Sequence, residues 1–462
     1  VITLWPKQQE VFTAARQAYI DGFRAPLIVA PCGFGKTHVF AATALSAMKR
    51  GTNVLIVAHR AELIDQISDT LTTFGVDHGF ICAGRSYCIK PVMVGSIQTL
   101  HRRLQSNSLG FGLVIADEAH HYTATNSFGS VLRAFPSARL LGVTATPVRL
   151  SGEALKDVFD TMIVGPSCQE LIDDGKLSPI RVWAPPTVDT RGLHIRAGDF
   201  KLEESAALVN KPAITGNAIS HYKRLADGLP FVVFCVNVEH AKQTAADFTA
   251  SGIDTRVIYG SMPDTERKSI VEGFRRGDFP GLASVELISE GFDIGKGEGG
   301  YIGCGICLRP TASLGWHLQS LGRCLRTHPK KSHAIIIDHV GNCQRHGLPS
   351  DEREWSLEGK GPKRRGVKQE VRIRTCHKCF AAMGLEAKEC SECGYVFEVK
   401  GRQVIEREGE LVEFQRRKRI VEEHYARTLQ EFIALGIKRG YRYPIQWAKI
   451  RMQYRERRRI AL

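Results

Sequence analysis

The sequence predicts an α/β fold: two doubly wound parallel sheets in succession, then a small metal-held module and a basic helical end. Three observations predict it. Short apolar runs alternate with helical stretches over roughly the first 345 residues, as in sheets whose parallel strands are joined by crossover helices. Polar clusters follow directly on the carboxyl ends of those runs, where open parallel sheets hold their ligands. Near the far end stand two Cys-x2-Cys pairs, ten residues apart.

The elements follow in order. Leu4-Trp5-Pro6-Lys7-Gln8-Gln9 precedes a helical run from Glu10 to Ile20. Leu27–Ala30 reads as a buried strand that empties into Pro31-Cys32-Gly33-Phe34-Gly35-Lys36-Thr37, and helical sequence follows from His38 to Lys49. Strand, glycine-containing loop and helix in that order form a phosphate cradle. Backbone N–H groups at the helix start face the anion, Lys36 reaches the terminal phosphates, and the Thr37 hydroxyl can ligate Mg²⁺. Ala30 stands where the usual pattern has its first glycine, while Gly33 and Gly35 still supply permissive backbone.

Further strands are expected at Asn53–Ala58, Val92–Ser96, Leu113–Ala116 and Leu140–Val143. The third of these delivers Asp117-Glu118-Ala119-His120, and the fourth Thr144-Ala145-Thr146-Pro147. Two adjacent carboxylates at a strand end beside a phosphate loop suit a divalent ion and an attacking water. Asp117 would hold Mg²⁺ and Glu118 would orient or deprotonate the water.

A second α/β half begins after Pro179, with strands at Phe231–Cys235, Asp254–Ile258 and Gly281–Val285 and helices at Val238–Ala250 and Glu266–Arg275. It has no phosphate loop. It does carry Gln319, Arg323 and Arg326, which on a helix would share one face. Two aligned arginines suit the charge of a γ-phosphate in the transition state, so the reaction is expected in a cleft between the halves.

Composition sets the class. The chain has 462 residues, 43% hydrophobic and 24% charged, as folded globular chains do. No run of 18 apolar residues predicts a membrane span, and the first residues lack the charged and apolar regions of a secretory signal. Thirteen cysteines, an odd number, argue for a reducing compartment and hence a cytoplasmic protein rather than a disulfide framework. The net charge of +15 points to a polyanionic partner. Residues 351–462 hold 27 Lys+Arg against 17 Asp+Glu, so +10 of that excess lies in the last quarter.

In their order, Gln8, Ala30–Thr37, Val57–Leu63, Asp117–His120, Thr144–Pro147, Glu290–Asp293 and Gln319–Arg326 resemble the motifs of superfamily 2 helicases. The pattern is similar to the DEAD/DEAH-box group of bacterial and phage proteins, with the layout of RadD-like repair helicases. This resemblance implies two RecA-like domains that hydrolyse ATP at their interface while walking along nucleic acid. It further implies that Gln8 contacts adenine, that Pro31, Gly33 and Gly35 belong to the nucleotide loop, and that Gly291 and Asp293 line the closed cleft. Thr144 and Thr146 would couple hydrolysis to domain movement. Arg323 and Arg326 would be arginine fingers, and His59, Arg60 and Gln98 would lie near the nucleic-acid track. The chain departs from the family at Ala30, at Trp5 where an Arg is usual, and at Gly295 where a Pro is common; none of these removes a catalytic group.

In the last quarter, residues 351–375 are charged and punctuated by Gly and Pro, and read as a basic linker. Cys376, Cys379, Cys390 and Cys393 then match a tetrahedral Zn²⁺ site with no open position, hence a structural zinc ribbon. Cys304 and Cys307 lack a second pair and read as packing. Tyr425, Leu429, Phe432 and Ile433 share one apolar helical face. A further helix from Pro444 interleaves Trp447, Ile450 and Tyr454 with Arg451, Arg455 and Arg457–Arg459, a pattern suited to phosphate contact and base stacking.

The expected organisation is thus an ATP-binding domain over 1–165, a second RecA-like domain over 166–350, the linker over 351–375, the ribbon over 376–400 and a basic tail over 401–462. The expected activity is an ATP-dependent DNA helicase or translocase on single-stranded or branched DNA in repair, recombination or phage replication, with a single-strand-binding or repair protein as a possible partner. RNA unwinding, duplex translocation without strand separation, and an ATP-switched clamp share this chemistry and remain open at the level of sequence.

Overall fold

The computed structural model describes residues 3–103, 110–123, 126–149, 152–185, 188–286, 300–359, 373–397, 426, 428–441, 443–449 and 451–452. Two compact units divide the chain, residues 1–397 and 398–462. The first contains two lobes, each built on a sheet.

Lobe 1 carries β1 (Pro26–Val29), β2 (Val54–Ala58), β3 (His78–Ile81), β4 (Val92–Ser96), β5 (Leu113–Ala116), β6 (Arg139–Thr144) and β7 (Thr161–Val164). All pair in parallel, in the order β3-β4-β2-β5-β6-β1-β7. Alternate residues point to opposite faces, and both faces are covered. Ile28, Ile56, Ile115 and Val143 enter one core, and Leu27, Leu55, Val57 and Val114 the other. Burial on two sides is why these strands read as continuous apolar runs. The edge strands β3 and β7 are half-exposed and lack that signature, so sequence reading missed them.

Lobe 2 contains β8 (Ile180–Trp183), β11 (Phe231–Phe234), β12 (Thr255–Tyr259), β13 (Gly281–Val285), β14 (Cys304–Cys307), β15 (Ala334–Asp338), β16 (Ile373–Thr375) and β17 (Ala381–Gly384). Their order is β12-β13-β11-β14-β15-β8-β17-β16. The first six are parallel, whereas β17 joins β8 antiparallel, with Ala381 opposite Trp183. A short hairpin, β9 (Ile195–Arg196) with β10 (Asp199–Phe200), stands apart from this sheet. Cys304 and Cys307 are buried in β14, which accords with packing.

The stretch read as a linker, 351–375, is built into the fold in its described parts. Trp355 and Leu357 pack on the lobe-1 core, and residues 373–375 form β16. The ribbon likewise is no separate bead. Cys376, Ala381, Cys390 and Phe397 share a core with Trp183 and Ile335 of lobe 2.

In the second unit, the helix Leu429–Lys438 opens on a capping box between Thr428 and Glu431. Residues 444–449 and 451–452 are helical. Phe432 and Ala448 are buried, with Trp447 partly buried against them. Arg439 and Arg451 lie 5.7 and 5.9 Å from the Trp447 ring centroid, so this half-buried aromatic takes part in the packing of the unit. Tyr425, Ile450, Tyr454, Arg455 and Arg457–Arg459 lie outside the described residues.

Candidate functional site

The site begins where β1 ends. Gly33 and Gly35 take φ +89° and +81°, the left-handed region that glycine enters without strain, and the helix Lys36–Met48 starts immediately after. Its first N–H groups are therefore open to an anion. Lys36 Nζ donates to the carbonyls of Ala30 and Pro31 at 3.0 and 3.2 Å, a position from which it can turn to a phosphate. Gln8 Nε2 donates to Phe34 O at 2.9 Å. The glutamine thus braces the loop itself.

β5 delivers the two carboxylates. Asp117 and Glu118 are both buried, and Asp117 Oδ1 accepts from Glu118 N at 3.0 Å. Burial first, then the charge of Glu118, pushes the Asp117 carboxyl up to about 7, while Lys36 and Arg323 act the other way. Such a pair is short of positive charge, and a divalent cation would supply it. Thr144, at the end of β6, donates from Oγ1 to Thr146 O at 3.1 Å and lies 2.9 Å from His120 Nδ1. His120 Nδ1 is in turn 3.5 Å from Glu118 Oε2. The threonines are therefore wired to the carboxylates through His120, whose role the sequence alone does not reveal.

Lobe 2 faces this group with the helix Leu314–Cys324. Gln319 Nε2 reaches Glu118 Oε2 across the cleft at a long 3.5 Å. Gly322 lies against the phosphate loop so closely that a Cβ there would stand 2.6 Å from Cys32 Cβ. Arg323 Nε is buried and without a hydrogen-bond partner among the described residues; a phosphate oxygen would satisfy it.

Arg326 corrects the expectation of one helical face. The helix stops at Cys324 because the next residues pair with the start of lobe 2. Ser178 N donates to Leu325 O at 2.7 Å, and Leu177 forms a bridge with Arg326. Arg326 remains beside the loop, its guanidinium pulled down from its ordinary value by burial, with Cys32 acting the other way.

At the ends of β2 and β4, Gln98 Nε2 donates to His59 O at 2.9 Å, and the His59 ring lies 4.9 Å from that of His121. Arg60 precedes the helix Ala61–Thr73. Glu62, in its first turn, accepts from Arg267 of lobe 2 at 2.7 Å. Nothing local in the sequence signals that pairing, since the partners are 205 residues apart. Gly291 and Asp293 lie outside the described residues.

Apart from this cleft, the Sγ atoms of Cys376, Cys379, Cys390 and Cys393 all lie within 4.8 Å of one another. Four thiols so gathered match the donor set and size of a tetrahedral zinc site.

Comparison with known proteins follows the same division. Residues 1–149 match the family described as the res subunit of type III restriction enzymes, and residues 216–328 match the helicase conserved C-terminal domain. A 51.5 kDa protein of Lactococcus phage isolate 7-9 is 32% identical over 394 residues, covering 84% of this chain and 82% of that one. Irc3 of Schizosaccharomyces pombe, described as a candidate mitochondrial ATP-dependent helicase, is 28% identical over 76% of this chain, which spans 59% of its length. Among solved structures, a fragment of a candidate HsdR subunit of a type I restriction enzyme from Vibrio vulnificus YJ016 superposes with TM-score 0.58 at 21% identity, covering 74% of this chain and 65% of that one. The type ISP restriction-modification enzyme LlaBIII, solved bound to DNA, gives 0.55 at 16% identity, over 73% of this chain and 28% of that one. Both show the fold. Among the described residues no helix is long and apolar enough to cross a membrane. With the phage relative aligned along most of both chains and the two family matches falling on the two sheets, the chain belongs to the superfamily 2 helicases of bacterial and phage type, nucleic-acid-dependent ATPases.

Proposed function

We propose that this chain is an ATP-driven motor on DNA, acting on single-stranded or branched substrates in repair, recombination or phage replication. The observation that carries the proposal is the assembled cleft, with Gln319 of lobe 2 reaching Glu118 of lobe 1. In this reading Lys36 and the N–H groups after Gly35 hold the phosphates. Thr37 and Asp117 hold Mg²⁺, which when bound supplies charge neutralisation at the phosphates. Glu118 orients the water and takes its proton, Arg323 and Arg326 neutralise the developing charge, and Gln8 couples base recognition to loop shape. Through His120, Thr144 and Thr146 sense whether the carboxylates are engaged.

Support for DNA comes from the match to a restriction-enzyme subunit family and from a fold neighbour solved with DNA; the +15 net charge supports a polyanionic partner of either kind. His59, Arg60 and Gln98, clustered at the strand ends of lobe 1, are the proposed strand contacts. Zn²⁺ at the four cysteines is proposed as structural, and a single-strand-binding or repair protein as a partner.

The testing measurement is steady-state ATPase rate without nucleic acid and with single-stranded, duplex and forked DNA and RNA, at one salt concentration. Strong stimulation by single-stranded or forked DNA is expected. Stimulation by RNA alone would move the function to RNA remodelling, and none at all would sink the motor reading.

A further inference from the structure

After β15, the last parallel strand of lobe 2, the chain does something the sequence does not announce. It leaves lobe 2 at the helix Asn342–His346 and returns to lobe 1. The turn is tied by Arg353, whose guanidinium donates to the carbonyls of Leu348 and Asp351 at 2.6 and 2.7 Å. From there residues alternate like an edge strand. Arg353, Trp355, Leu357 and Gly359 are half-buried, while Glu352, Glu354, Ser356 and Glu358 are exposed.

The docking on lobe 1 is specific. Trp355 and Leu357 pack on the core that holds Leu155 and Phe159. Leu357 O accepts from Leu155 N at 2.8 Å and Lys156 N at 3.1 Å, and Lys156 pairs with Glu358. At Gly359 φ is +59°, and a Cβ would stand 2.7 Å from Gly152 O and 2.8 Å from Ala154 N. A side chain there is incompatible with the docked path. By Ile373 the chain is again in lobe 2.

Among the described residues, two crossings of the cleft, residues 164–178 and residues 349–359, join the lobes. Between them lies a cavity of about 510 Å³. Its walls come from Cys32 of the phosphate loop, Pro166 of the first crossing, Gly322 and Leu325 of the arginine-bearing segment, and Trp355 of the second. Lobes joined by one hinge swing freely. A second attachment makes their apposition intramolecular and confines the swing.

We propose that residues 349–359 form a positioning strap. Docked on Leu155 and Lys156, it holds the helix Leu314–Cys324 against the phosphate loop, so that Arg323 meets the γ-phosphate without a separate closing step. Trp355 and Leu357 act through the lobes and touch no reactant. The proposal rests on the reading of Arg323 as the γ-phosphate group.

The test uses the full chain with Trp355→Ala and, separately, Gly359→Val, which undocks the strap without removing any core side chain of lobe 1. The readouts are hydrogen exchange at the Leu155 and Lys156 amides, radius of gyration by small-angle scattering, and kcat and KM for ATP. Expected are faster exchange at both amides, a larger radius of gyration, and a kcat lowered by about tenfold with KM within about twofold, since the phosphate loop of lobe 1 supplies most of the ground-state binding while Arg323 acts on the charge that develops in the transition state. Exchange and radius unchanged in Gly359→Val would overturn the strap. Faster exchange with unchanged kcat would overturn its positioning role. A wild-type chain with no ATPase would sink the motor reading instead, and the exchange and radius data would still decide whether the strap holds the lobes.

Discussion

Glu118 sits at φ +47°, a left-handed backbone that costs a residue with a side chain on the order of 1–3 kcal/mol. Strain of that size persists where surrounding structure holds it, and here it turns the carboxylate toward His120 and Gln319. Glu118→Gln keeps the shape and loses the base. It is expected to bind ATP and Mg²⁺ with near-normal affinity while turnover falls by about 10²–10⁴; a nucleotide titration beside a steady-state assay checks this, and undiminished turnover would remove Glu118 from the chemistry. The places of Lys36, at the start of the helix after β1, and of Asp117, Glu118, Thr144 and Thr146, at or just past strand ends, could be read beforehand because they follow one another in a fixed order. The course of the chain at Arg326 could not. Its helix is cut short by pairing with Leu177, a partner distant in sequence. Arg267 was hidden for the same reason, since its cross-lobe partner Glu62 leaves no local trace.

At the scale of elements, the ribbon is the added edge of lobe 2's sheet. β17 covers β8, and Cys376 and Cys390 lie in the same core as Trp183. Metal bound there would stabilise the lobe and not the ribbon alone. Removing zinc by chelation, or replacing Cys379 with Ser, is expected to lower the lobe's stability by more than about 2 kcal/mol, read by thermal melting alongside metal content. An unchanged melt after full metal loss would make the site dispensable for folding. The central strands of lobe 1 were legible because parallel strands buried on both faces are uniformly apolar, and its edge strands were not, because half-exposed strands carry no such run. In lobe 2 the edge strand β12 was legible, whereas the buried β14, short and containing Gly and Cys, and β15 were passed over, as was the antiparallel attachment of the ribbon.

Over the whole molecule, acid is expected to weaken lobe 2 before it touches most carboxylates. Burial pulls His240 down to about 4 and, with the charge of stacked His221, pulls His339 down to about 3, from an ordinary 6.5. The unfolded chain thus binds more protons between those values. Stability is intact above about pH 6.5 and falls as pH drops, by up to about 1.4 kcal/mol per unit for each such histidine. Melting temperatures between pH 7 and 5 check this, with His339→Phe expected to flatten the slope; a wild-type melt that stays level across that range would contradict it. The pairing of β8 has a consequence for synthesis. Every strand of lobe 1 is available once Val164 has left the ribosome, whereas β8 meets no neighbour until β15 emerges at Ala334, and its other edge stays bare until β17 at Ala381. For most of translation lobe 2 is therefore an unfinished sheet beside a finished one. A nascent chain halted before Ala381 exposes an unpaired strand that other chains can join.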